Sequence, residues 1–121
     1  MVQSLNSTVE LTTTGVSYLA IGGNKVGKFL LGNKGFEFYN DKNVNDYIQI
    51  PWDSIDKMGA NITGRKISRH FEVYTAQGKF LFASKDSGKI LKIARQHIGD
   101  EKVVRLPTLL QTIVAKFKRK K

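Results

Sequence analysis

The sequence predicts a mainly β domain with C-terminal helices, and three observations carry that reading. From Thr8 to about Phe82, short stretches rich in Val, Ile, Phe, Tyr and Thr recur between Gly, Asn and Asp clusters, the pattern of a meandering antiparallel sheet. Apolar residues take up helical spacing only beyond Ser84. The 121 residues are 40% hydrophobic and include no cysteine, which fits one packed core without a disulfide framework and excludes a thiolate metal site or thiol nucleophile.

About seven strands are expected. The first runs from Thr8 to Ile21 with Gly15 as its point of interruption, and Gly22-Gly23-Asn24 turns the chain into Gly27 to Leu31. After a turn at Asn33-Lys34-Gly35, Phe36 and Phe38 share one face of a strand while Glu37 and Tyr39 share the other. The polar stretch Asn40 to Asp46 is expected as a loop. Tyr47 to Trp52 alternates again, with Ile48, Ile50 and Trp52 on one face; Pro51 has no ladder donor and marks an edge or a bulge. Ile55 and Met58 open another segment. Past Gly64 a basic turn, Arg65-Lys66, leads to Phe71 and Val73, and Gln77-Gly78 turns the chain into Lys79 to Ala83 with Phe80 and Phe82 facing inward.

Ser84 or Asp86 is placed to cap a helix starting near Ser87, whose Ile90, Leu91, Ala94 and Ile98 form one stripe and which Gly99 ends. Beyond an extended Val103-Val104, a second stripe opened by Pro107 comprises Leu106, Leu109, Leu110, Ile113, Val114 and Phe117. The chain divides accordingly into a single β-rich domain over residues 1–105, with a covering helix near 87–98, and a basic amphipathic helical tail over 106–121. Strands followed by a helix imply a curled antiparallel sheet or barrel of pleckstrin-homology-like (GRAM-like) form, covered by that helix.

Twenty Lys and Arg against ten Asp and Glu give a formal charge of +10, so an acidic partner is expected. Lys116, Lys118, Arg119, Lys120 and Lys121 fill five of the last six positions and carry half of that excess. No basic stretch leads into an apolar run near Met1, and no window reaches the roughly 18 apolar residues of a spanning helix. A cytoplasmic protein, neither secreted nor integral, is the expectation.

Candidate chemistry is sparse. Gly22 to Lys28 has the glycine and lysine spacing of a phosphate-binding loop, but Phe29 stands where a Ser or Thr would hold magnesium, and a strand follows in place of a helix. A hairpin loop with exposed lysines is the ordinary explanation. His70, between Arg69 and Phe71, is directed away from the face of Phe71, and His97 falls at a helix end where its charge suits the dipole. These two histidines with Asp41, Asp46, Asp53 and Asp56 have no metal-ligand spacing, and Asp41 to Asp46 lacks the glycine and final glutamate of a calcium loop. No catalytic, cofactor-binding or metal residue is assigned, and an enzyme is not expected.

The positive signal is the C-terminal end. Leu109, Leu110, Ile113, Val114 and Phe117 would dip into an anionic bilayer while Lys116, Lys118, Arg119, Lys120 and Lys121 meet its headgroups, each cation contributing about 1 kcal/mol. Docking of the same stripe on the protein's own sheet, or in a partner's groove, is an open alternative. A secondary basic patch, Lys57, Arg65, Lys66 and Arg69, lies in and around one hairpin and makes nucleic acid the competing partner. Against it, Phe36, Phe38, Phe71, Phe80 and Phe82 alternate as core residues do, without the exposed aromatics of a common single-strand binder.

Three segments carry a family resemblance: Gly35-Phe36-Glu37-Phe38-Tyr39-Asn40, Asn45-Asp46-Tyr47-Ile48-Gln49-Ile50-Pro51-Trp52 and Phe80-Leu81-Phe82-Ala83-Ser84-Lys85-Asp86. Through them the chain resembles the ManO-like proteins, a domain-of-unknown-function family encoded beside mannose-family phosphotransferase system genes in Gram-positive bacteria. The opening Met1-Val2-Gln3-Ser4-Leu5-Asn6 is also similar to theirs, and the resemblance spans nearly all of residues 1–105. It implies a non-enzymatic accessory or regulatory protein that touches the membrane subunits of a mannose-type sugar permease at the cytoplasmic membrane face. The alternative it permits is a DNA-binding regulator of the mannose operon, although no helix-turn-helix pairing precedes the late helices. No functional residue carries over.

Overall fold

The computed structural model describes residues 3–18 and 23–106. Among them, eight strands and one α-helix follow in chain order: β1 Val9–Tyr18, β2 Asn24–Gly32, β3 Gly35–Asn40, β4 Asn43–Pro51, β5 Ile55–Thr63, β6 Lys66–Thr75, β7 Gly78–Ala83, α1 Ser87–Ile98 and β8 Val103–Leu106. The strands make one sheet in the order β4-β3-β2-β1-β7-β6-β5-β8. Neighbours are antiparallel except β5 and β8, which run parallel with Asn61 opposite Leu106.

Three expectations about the strands are corrected. Gly15 does not interrupt β1; it pairs with Gly27, and the irregularity falls between Val9 and Leu11. A side chain at Gly27 would collide with the Tyr39 carbonyl, so glycine there lets β2 and β3 approach closely. The polar stretch Asn40 to Asp46 is mostly strand, because Asn43 already pairs with Asn40 and only Asp41-Lys42 turns. Its polarity reflects position: β4 ends the sheet order, Asn43 and Asn45 are exposed, and Pro51 closes it where no ladder donor is lost. Finally, Val103 to Leu106 is an eighth strand, added to the free edge of β5.

Inward alternation builds the core. Phe29, Phe36, Phe38, Phe71 and Phe82 are fully buried with Leu31, Ile55, Met58 and Val73, and Phe80 packs half-buried against them. Phe36 on β3 and Phe71 on β6 are four strand steps apart in the sheet, about 19 Å if it were flat, yet their ring centroids are 6.2 Å apart. Ile90, Leu91 and Ala94 of α1 join the same cluster. Each of the larger side chains, alanine apart, contributes about 1.5–3 kcal/mol by leaving water.

The start of α1 is fastened differently from the expectation. Asp86 occupies the N-cap position without a capping bond; its carboxylate accepts the Thr13 hydroxyl at 2.6 Å instead. Ser84 Oγ accepts the Asp86 N–H at 3.1 Å and donates to the Thr14 carbonyl at 2.8 Å, so both polar residues tie α1 to β1. Gly99 ends the helix as expected, at φ 94°, with its N–H on the Arg95 carbonyl at 2.9 Å.

Glu37 faces away from the phenylalanines, as the alternation predicts, yet it is 0% exposed. Residues 4–6 fold over it. Ser4 Oγ (2.6 Å), the Leu5 N–H (2.9 Å), Asn6 Nδ2 (2.8 Å), Gln49 Nε2 (3.0 Å) and the Tyr39 hydroxyl all donate to its carboxylate. Burial by itself raises a carboxyl pKa, but these donors outweigh it and hold Glu37 below its ordinary value. Tyr39 moves up, from burial and from the negative charge its hydroxyl serves.

Candidate functional site

Eight of the described cations, Arg65, Lys66, Arg69, Lys85, Lys89, Lys92, Arg95 and Arg105, gather toward one end of the sheet. The β5–β6 hairpin turns at Gly64-Arg65, and Arg65, Lys66 and Arg69 are exposed there. That stretch lies against the start of α1: the Ser84 N–H donates to the Arg69 carbonyl at 2.9 Å, and Ser87 Oγ donates to the Ser68 carbonyl at 2.7 Å. Lys89, Lys92 and Arg95 follow at steps of three along α1, all exposed, with Lys85 ahead of them. β8 runs toward the same end, for Leu106 lies opposite Asn61, two residues before Thr63, which pairs with Lys66. The chain therefore leaves its described body beside Arg65, Lys66 and Arg69.

Lys57 does not belong to this group. It pairs across the hairpin with Tyr74, six residues along β5 from Thr63, which is about 20 Å. Its ammonium sits 4.6 Å over the Tyr74 ring. The Tyr74 hydroxyl donates to Glu72 at 2.6 Å, and that bond pushes its pKa up to about 12. At the Lys57 end of the hairpin, a groove of about 480 Å³ between β4 and the β6–β7 turn is lined by Asp53 and Asp56 and, among the described residues, by no Lys or Arg. The hairpin tip is therefore basic, while at the other end Asp53 and Asp56 stand beside Lys57 and Lys79, so the two signs are mixed there.

The remaining candidates resolve locally. Gly27 and Lys28 of the phosphate-loop pattern lie inside β2, and Lys28 pairs with Asp41 at 3.6 Å. Lys25 pairs with Asp46, which pulls that carboxyl below its ordinary pKa. His70 is exposed, with Nε2 3.3 Å from the Tyr18 hydroxyl. His97, in the last turn of α1, stacks on Trp52 at 4.7 Å and 7° and meets both Glu10 oxygens at 3.0 Å. These contacts tie the end of α1 to β1 and to the turn after β4. Among the described residues no group of three or more His, Cys, Asp or Glu could hold a metal ion, and no helix is long and apolar enough to cross a membrane. The tail residues Leu109, Leu110, Ile113, Val114, Lys116, Phe117, Lys118, Arg119, Lys120 and Lys121 lie outside the described residues.

Sequence reasoning missed Lys85, Lys89, Lys92, Arg95 and Arg105 as neighbours of the hairpin cations. For Lys89, Lys92 and Arg95 the signal lay on the polar side of α1, opposite Ile90, Leu91 and Ala94, but its place beside the hairpin is tertiary, as are the places of Lys85 and Arg105.

This architecture, one mainly β domain with a helix after its seventh strand, is shared with solved structures of little sequence similarity. The C-terminal domain of an unknown protein from Leishmania infantum aligns with TM-score 0.63 at 11% identity, over 75% of this chain and 84% of that one. The C-terminal PH domain of human pleckstrin aligns with TM-score 0.58 at 14% identity, over 83% of this chain and 99% of that one. The protein thus has a PH-like fold. It belongs to the family described as Domain of unknown function (DUF956), which matches residues 1–117. No curated protein matches the sequence.

Proposed function

We propose that the protein is a non-enzymatic accessory or regulatory component of a mannose-type phosphotransferase permease, held at the cytoplasmic membrane face by its basic end. One observation carries the membrane part. Leu106, from which the tail with five terminal cations departs, lies beside the exposed Arg65, Lys66 and Arg69, so body and tail cations serve one anionic surface. The ring contact between Phe36 and Phe71 supports a curled sheet covered by α1, a rigid body on which that end is presented. The domain runs through Leu106, which β8 takes from the tail expected over 106–121, and the tail follows it. The permease as partner rests on the resemblance to ManO-like proteins.

Co-purification from detergent extracts tests the partner. The permease membrane subunits should be recovered with the tagged full chain well above unrelated cytosolic proteins, and equal recovery would contradict the reading. Replacing Lys116, Lys118, Arg119, Lys120 and Lys121 by Gln should lower membrane recovery. The DNA-regulator alternative needs sequence-selective operator binding that survives physiological salt. A helix-turn-helix needs two helices, and the described residues contain α1 alone.

A further inference from the structure

Within the basic end, a groove of about 460 Å³ runs between α1, β5, β6 and β8. Its lining is of two kinds. Ile62, Ile67, Leu91, Val103 and Val104 are apolar, and Ile67 is 40% exposed. Lys92, Arg95 and Arg105 supply three cations, and no acidic residue lines the groove. Arg105 is oriented by donating from Nη2 to the Ile62 carbonyl at 2.8 Å, while Arg95 has, among the described residues, the mostly exposed Asp100 as its ion-pair partner, 3.7 Å away. Lys92 has no ion pair among the described residues. Gly88 leaves one wall without a side chain although one would fit, its nearest neighbour being Ile67 Cδ1 at 3.5 Å. Glycine so early in a helix weakens it relative to alanine, so its use here keeps the groove open at a cost to the helix.

Cations beside an apolar trough that no described residue covers match an amphiphile whose anionic group is joined to hydrocarbon, and they match neither a free anion nor an uncharged lipid. We propose that this groove binds a single anionic phosphodiester lipid of the membrane, its phosphate between Lys92, Arg95 and Arg105 and its glyceride end over Ile62, Ile67 and Leu91. The assignment rests on the membrane reading above and names the ligand of that face. Basic DNA-type binding would use the cations and leave the trough unfilled.

The test is an NMR titration of the full chain with short-chain dihexanoyl phosphatidylglycerol below its micellar concentration. Glycerol phosphate and dihexanoyl phosphatidylcholine serve as the two comparisons. The expected result is saturable shifts confined to α1, β8 and Ile62 to Ile67, with either comparison at least tenfold weaker. Lys92→Glu and Arg105→Glu should each weaken the phosphatidylglycerol at least fivefold. Ile67→Ser, at an exposed position, should weaken the lipid without changing glycerol phosphate. Equal binding of glycerol phosphate, or shifts mapping elsewhere, would overturn the assignment, as would affinity indifferent to all three substitutions. Sedimentation with phosphatidylglycerol vesicles separates the two levels: if the wild type sediments while the titration fails, the groove is wrong and the membrane reading stands. If the wild type does not sediment, the membrane reading falls.

Discussion

At the scale of single residues, Glu37 shows how a polar side chain is buried without being left unsatisfied. Alternation along β3 assigned its face correctly, but its covering by Ser4, Leu5 and Asn6 comes from about thirty positions away and has no periodic signature. Glu37→Gln keeps the shape, removes the charge and turns a donor toward donors. It should destabilise the protein by about 2–4 kcal/mol in urea unfolding. Linkage fixes the pH dependence. Because the folded pKa lies below the ordinary 4.5, the contribution is present above pH 4.5 and is lost as pH falls through the depressed folded value. The gap between wild type and Glu37→Gln should therefore narrow on acidification, and a gap constant from pH 7 to pH 3 would contradict the assignment.

At the scale of elements, period-two alternation made seven strands legible, and the cap-to-glycine pattern made α1 legible from Ser87 to Gly99. Two features were hidden for physical reasons. β4 reads as loop over its first residues because an edge strand can be polar, and β8 is four residues whose pairing depends on the free edge of β5. Of the candidate site, Arg65, Lys66 and Arg69 were legible as part of a basic patch in and around one hairpin; Lys57 lies apart from them because closeness in sequence along a hairpin is distance in space. Two glycines of opposite character test the packing. Gly88→Ala should stabilise α1 by about 0.5–1 kcal/mol, since its side chain fits. Gly27→Val meets the Tyr39 carbonyl and should cost more than about 3 kcal/mol or abolish folding, read by thermal melting.

At the scale of the molecule, the separation of charge matters more than the total of +10. The cations of the hairpin tip, α1 and β8 cluster at one end while the Asp53–Asp56 end is mixed in charge, and that one-sided cluster orients the body in the field of an anionic surface. Cations near such a surface contribute about 1 kcal/mol each and act within a Debye length of roughly 8–10 Å. Binding should consequently fall steeply between low salt and 0.5 M salt. The most direct measurement is co-sedimentation of the full chain with phosphatidylglycerol vesicles. It compares wild type, the triple variant Arg65→Glu, Lys66→Glu, Arg69→Glu, and the opposite-end variant Asp53→Asn, Asp56→Asn. Binding at least about tenfold weaker is expected for the triple variant, with little change for the opposite-end one. Undiminished binding of the triple variant, or equal binding of the wild type to neutral phosphatidylcholine vesicles, would contradict it.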